Sequence, residues 1–217
     1  MLRKMLSATV VAILAAAIWS TDCFGQIGGQ KFPRGLCFGG VYLNNLESIR
    51  MDYKGAGTQY LSGNFGGYYL EAWYTASPSE EWSPSTVFID ISLCYKQLQG
   101  DLHSRKVKES YLALPVRFSW RIPVFEKWLY FAPYAGPTFQ YGLSSKADDY
   151  DFYHPDGRLK SKRFNVLIGA GLSFTLFRHY RLDIGYDIGL PRYTRKTDTE
   201  RISWNTSGFH TGLAWQF

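Results

Sequence analysis

Seven charged residues sit inside otherwise apolar, alternating stretches: Glu71, Asp90, Lys96, Arg117, Arg121, Asp183 and Asp187. The separations within a stretch are even, as between Arg117 and Arg121 or Asp183 and Asp187, so in extended chain each set shares one face. Charges on an enclosed face are costly unless paired, so these four acids and three bases should pair across strands. The chemistry open to such a set is a plug of salt bridges or, if the enclosed space is open, a gated or selective ion path.

Other constellations are weaker. Ser207, His210 and Asp187 are the types of a nucleophile, base and acid. Ser207 and His210 differ by three, which puts them on opposite faces of a regular strand and argues against a catalytic trio. The histidines at 103, 154, 179 and 210 lie too far apart for metal-ligand spacing. Asp148, Asp149, Asp151 and Asp156 surround His154 without the spacing of a calcium loop. No Gly-rich loop opens a helix, so the glycines do not read as a phosphate cradle. The expectation is no catalytic residue, no metal and no cofactor.

The elements that must position the charges are strands. Period-two alternation marks about eight of them, near 35–44, 59–75, 85–97, 107–122, 128–143, 163–177, 180–191 and 203–217. Over 180–191, Leu182, Ile184, Tyr186, Ile188 and Leu190 oppose Arg181, Asp183, Gly185, Asp187 and Gly189. The last stretch alternates Phe209, Thr211, Leu213 and Trp215 with small or polar residues and reaches Phe217. A soluble barrel also alternates, with its polar face in water. Here the polar face repeatedly carries Gly and Ala beside isolated charges, which suits the cramped interior of a barrel of about eight strands. Tyr42, Trp73, Trp82, Tyr95, Trp120, Trp128, Tyr130 and Trp204, near strand ends, suit aromatic girdles. The fold expected is all-β: an antiparallel, up-and-down transmembrane β-barrel. Pro115 falls in mid-strand, roughly opposite Tyr134 to Gly136, and removes a ladder donor there, which predicts a weak seam.

The address agrees with the fold. Arg3 and Lys4 precede an apolar run from Met5 to Trp19, too short to span a bilayer and suited to an export signal, so 1–25 is read as a cleaved leader and 26–217 as one barrel domain. No later stretch is apolar enough for a transmembrane helix, and lipid tolerates strands only in a closed barrel. Cys37 and Cys94 are too few for a disulfide scaffold and read as small packed residues, although an oxidising compartment would allow pairing. The formal net charge of +6 is spread along the chain and gives no support to nucleic-acid binding. Both termini are expected in the periplasm, with connections 45–58, 98–106, 144–162 and 192–202 outside and 76–84, 123–127 and 178–179 periplasmic.

Several stretches carry a resemblance. Phe38-Gly39-Gly40-Val41-Tyr42-Leu43-Asn44, Tyr111-Leu112-Ala113-Leu114-Pro115, Ala135-Gly136-Pro137, Gly169-Ala170-Gly171 and Tyr186-Asp187-Ile188-Gly189-Leu190 look like the pattern of the PorT-like outer-membrane β-barrel family. The resemblance implies a small barrel of Bacteroidetes-type bacteria and, through the namesake, a role in protein secretion. The function expected is therefore a non-enzymatic binding or accessory subunit of a surface or secretion assembly. Its alternatives are a small transport channel or a lipid-modifying enzyme. Outer-membrane lipid and another envelope protein are the expected partners. Within 144–162, Tyr150, Phe152, Tyr153 and Arg158 combine rings and charge and are the expected partner contact.

Overall fold

The computed structural model describes residues 26–27, 30–31, 34–53, 57–76, 87–102, 105–125, 128–147, 150–153, 162–177, 179–190, 193–196 and 200–216. The expected leader 1–25 lies outside the described residues, as do Trp82 and Arg158.

Eight long strands form the wall: β1 Arg34–Tyr53, β2 Gly57–Ala76, β3 Val87–Leu102, β4 Arg105–Trp120, β5 Leu129–Ala147, β6 Phe164–Leu176, β7 Tyr180–Gly189 and β8 Ser207–Gln216. Each pairs antiparallel with its neighbour in sequence, and β8 pairs with β1 from Phe209↔Tyr42 to Gln216↔Gly35. The sheet therefore closes on itself, and no helix occurs among the described residues. Closure gives the main chain of the wall its partners on both sides, which an apolar solvent demands.

Burial follows the alternation. Ile168, Ile188 and Leu213 are 62%, 60% and 71% exposed, whereas Glu71, Asp90 and Asp183 are at most 2% exposed. A water-soluble protein would bury the first set and expose the second. With apolar side chains outside and ion pairs inside, the wall is that of a membrane-spanning barrel. On β4 this belt runs from Leu112 to Trp120, and beyond it the exterior carries Ser110, Lys108 and Lys106.

The wall is taller than the alternation of apolar residues indicates. The expected connections 45–58 and 98–106 are largely strand, because β1 and β2 have 20 residues each and β3 runs to Leu102. Within 192–202 the chain forms a further hairpin, Tyr193–Lys196 paired with Glu200–Asn205. At about 3.3 Å per residue, such strands rise well past a belt of about 25 Å. Outside lipid both faces of a strand can be polar, so the apolar signal fades while the hydrogen-bonded ladder continues. Trp73 is also not a girdle residue: it is buried in the lumen, where Arg181 lies 5.2 Å from its ring centroid.

The short connection after β6 needs a tight reversal, and Phe177 takes φ 50° there. Its amide donates to the Trp128 carbonyl at 2.7 Å, and its ring stacks on Trp128, which stacks in turn on Phe125. Pro115 does interrupt the wall, but opposite Thr138 rather than Tyr134 to Gly136. The β4–β5 pairing stops after Pro115↔Thr138 and resumes at Phe118↔Ala135, and the β3–β4 pairing skips from Ile91↔Val116 to Cys94↔Ala113. The offset arises because Ile122–Phe125 continues the β4–β5 register, with Ile122 opposite Phe131, so the two strands are related about a point one to two residues beyond position 125.

Candidate functional site

All seven charges singled out from the sequence lie on the inner wall and are buried. The lumen they fill is built in layers.

Nearest the chain termini, Asp90 on β3 is the hub. It accepts from Thr75 Oγ1 at 2.6 Å, from Arg121 Nη2 at 3.3 Å and from Arg181 Nη1 at 3.1 Å. Arg181 Nε also donates to Asp183 Oδ1 at 2.8 Å, and the Ser173 hydroxyl donates to the same carboxylate. Arg117 on β4 meets Glu71 on β2 at 2.9 Å. The guanidinium groups also lie against rings, Arg121 over Phe88 at 4.6 Å and Arg117 over Tyr134 at 5.1 Å. Planar guanidinium suits this dual use, because its edge donates hydrogen bonds while its face stacks.

In the middle layer Lys96 Nζ lies 3.4 Å from Asp187 Oδ2, and His210 Nδ1 lies 3.4 Å from the same oxygen. His210 Nε2 is 3.1 Å from Tyr134 Oη. Room for these rings comes from glycine: a Cβ on Gly171 or Gly185 would collide with the Tyr134 phenol, and one on Gly39 or Gly212 with Tyr69. Asp187 and His210 are thus together, but Ser207, on the opposite parity, is not with them. A tyrosine stands where a catalytic serine would be needed, and the group is enclosed by wall.

Cys37 and Cys94 are both free and buried. They flank Glu71 in register, Cys37↔Glu71 and Glu71↔Cys94, so a whole strand stands between them. Two strand spacings of about 4.8 Å exceed disulfide reach.

At the far end the lumen turns apolar. Phe65, Leu98, Val107, Tyr111, Ala147 and Phe152 form part of one buried cluster. Glu109 is buried just above the belt, where it accepts from the Tyr111 hydroxyl and from Ser145 Oγ at 2.7 Å. Burial pushes its carboxyl up to about 7, against the two hydroxyl donors that favour the anion.

Two of the four residues expected at the partner contact, Phe152 and Tyr153, lie in this layer. Phe152 and Tyr153 are 5% exposed each. They fold inward because the Phe152 amide donates to the Ser145 carbonyl at 3.0 Å and the Tyr153 amide donates to Asp151 Oδ1 at 2.9 Å. Arg163 then lies 5.2 Å from the centroid of the Tyr153 ring. The two rings stop the mouth of the barrel and offer no exposed aromatic surface.

Sequence reasoning left Arg181, Glu109, Tyr134 and His210 out of the network. Parity alone would have admitted Arg181, two residues before Asp183. Parity would also have admitted Glu109, which shares the inward face of Arg117 and Arg121 along β4.

No family model matches this sequence, and the comparison with curated proteins found no match. Solved structures do match. The attachment invasion locus protein Ail of Yersinia pestis, in complex with the heparin analogue sucrose octasulfate, is 14% identical with a TM-score of 0.44, covering 87% of this chain and 100% of that one. Neisserial surface protein A is 10% identical with a TM-score of 0.44, over 85% of this chain and 97% of its own. The outer membrane enzyme PagL is 7% identical with a TM-score of 0.44, over 84% and 98%. These are likenesses of shape alone.

Proposed function

We propose that this protein is an integral outer-membrane barrel with a filled lumen, both termini in the periplasm, acting without catalysis as a binding or accessory subunit of a surface or secretion assembly. The supporting observation is the lumen itself. Arg181–Asp90 at 3.1 Å and Lys96–Asp187 at 3.4 Å both join β7 to β3, four strands apart in a ring of eight. Side chains therefore cross the full width of the barrel, which leaves no wide path for solutes. A rigid barrel with a stopped mouth has its far end left for work, and long elements on a rigid scaffold commonly carry binding. The PorT-like stretches support the secretion side of this reading.

The test is affinity recovery from detergent-solubilised outer membranes with tagged barrel, after shortening the Tyr193–Asn205 hairpin and, separately, residues 154–161. The barrel should assemble in both cases, because closure depends on the eight long strands. Loss of a specific envelope partner in either variant supports the reading; recovery of no envelope partner by the parent barrel removes it.

A further inference from the structure

On the β6 side the wall is low. β6 begins at Phe164, opposite Tyr141, while β5 continues upward to Ala147. Ala147 pairs with Val107 of β4 on one edge. Its other edge, where β6 would stand, is taken by Tyr150–Asp151 through Lys146↔Asp151 and Ala147↔Tyr150. Asp151 lies opposite the exposed Lys146, so Phe152, the next residue, faces the lumen. Its ring belongs to the buried cluster with Phe65, Leu98, Val107, Tyr111 and Ala147. A phenyl group carried by a returning segment thus fills a chamber whose walls belong to β2, β3, β4 and β5.

That segment is held less firmly than the wall. Its ladder has two pairs, followed by the Phe152 amide bond to the Ser145 carbonyl at 3.0 Å. The Lys146–Asp151 ion pair at 3.7 Å is 50% and 29% exposed, and pairs so exposed add little. Segments with short ladders and exposed contacts open locally at lower free energy than core strands.

Glu109 stands between Val107 and Tyr111 on the inner face of β4 and is 2% exposed. Burial is the largest influence on its carboxyl and acts against the anion. A cation brought in beside that carboxylate would offset its lost hydration. Lys96, in register with Tyr111, is engaged by Asp187 at 3.4 Å. This pair crosses the lumen below the chamber, so a guest there is held and not passed.

We propose that Tyr150–Tyr153 is a displaceable plug, and that the chamber beneath it binds a small molecule joining one phenyl-sized ring to an ammonium group. The guest ring replaces that of Phe152, and the ammonium sits beside Glu109. Phe152 shows the ring size that the chamber takes, and Glu109 selects the charge. The site lies inside the mouth and is separate from the partner contact proposed above, so neither depends on the other.

The test uses the full barrel in detergent micelles at pH 8, above the value of about 7 to which burial raises Glu109, with 2-phenylethylammonium as probe. On adding probe, exchange of the Phe152 and Tyr153 amides should quicken by about tenfold as the plug is displaced, while Leu182–Tyr186 stays unchanged. NOEs should connect the probe ring to the Leu98 and Val107 methyls. The carboxylate analogue 3-phenylpropionate should do neither. Phe152→Ala should tighten probe binding by about tenfold, because the competing ring is gone. Glu109→Gln should weaken it by about tenfold. The exchange and NOE measurements need no variant, so they decide the matter even where a substitution prevents folding. Unchanged or slowed exchange at saturating probe, absence of those NOEs, or an equal response to 3-phenylpropionate would each overturn the assignment. Probe affinity unchanged by Glu109→Gln would do the same.

Discussion

Arg181 Nη1 lies 3.1 Å from Asp90 Oδ2 across 91 positions of sequence, and the line between them crosses the barrel from β7 to β3. The same two strands are joined again by Lys96 and Asp187, also 91 positions apart. Neither strand touches the other through the wall, so these ion pairs brace opposite sides through the lumen.

Braces of buried charge should be sensitive to single truncation and tolerant of paired removal. Lys96→Met leaves Asp187 with only His210 among the contacts described above, and should cost about 3–5 kcal/mol. Lys96→Met with Asp187→Leu should recover most of that loss. Urea unfolding in lipid vesicles measures both, and full additivity of the two single losses would show that the pair is not a coupled brace.

The facing of β7 can be read from two adjacent residues. Ile184→Arg, on the lipid side, should cost about 2–4 kcal/mol if it lies near the midplane. Gly185→Arg should fail through collision with Tyr134 and His210, which already occupy the space beside that glycine. Folding yield into vesicles distinguishes them: an Ile184→Arg barrel inserting as readily as the parent would mean the facing is wrong.

The Pro115 seam should open before the rest of the wall. Ladder pairs are missing on both sides of it, at Val116 and Arg117 toward β5 and at Ser92 and Leu93 toward β4. Amide exchange at Val116 and Arg117 should exceed that of Leu182–Tyr186, which pair continuously with β6 and β8. Equal protection would remove the idea.

The mouth should respond to pH through Glu109. Its carboxyl is raised to about 7, while an unfolded glutamate titrates near 4.3. Between those values the folded state binds the extra proton, so stability at the mouth is greatest at low pH and falls as pH rises toward 7. Exchange of the Phe152 and Tyr153 amides should therefore quicken from pH 5 to pH 7.5, after correction for the intrinsic pH dependence of exchange. Glu109→Gln should flatten that trend, and a trend unchanged in the variant would place its cause elsewhere.

Much of this architecture is legible in the residues because lipid and lumen impose opposite demands on alternate positions. Ile184 and Asp187 differ in kind for that reason, and parity alone put Glu71, Asp90, Lys96, Arg117, Arg121, Asp183 and Asp187 inside. Legibility ends where lipid ends. Past Ser110 both faces can be polar, so the continuation of β1 to Tyr53 and β3 to Leu102 leaves little trace in composition. The rings of Phe152 and Tyr153 mislead for a related reason: an aromatic in a polar loop reads as exposed, yet here two main-chain bonds turn it inward. Trp73 misleads in the same way, since an arginine in the lumen is as good a neighbour as a lipid headgroup.

The most direct test of the central claim is electrical. Purified barrel reconstituted into planar bilayers should give no sustained conductance, because Arg181–Asp90 and Lys96–Asp187 cross the lumen and Phe152 and Tyr153 close its mouth. Long-lived, voltage-sustained open steps from the intact barrel would contradict a filled lumen, and with it the assignment of function to the far end.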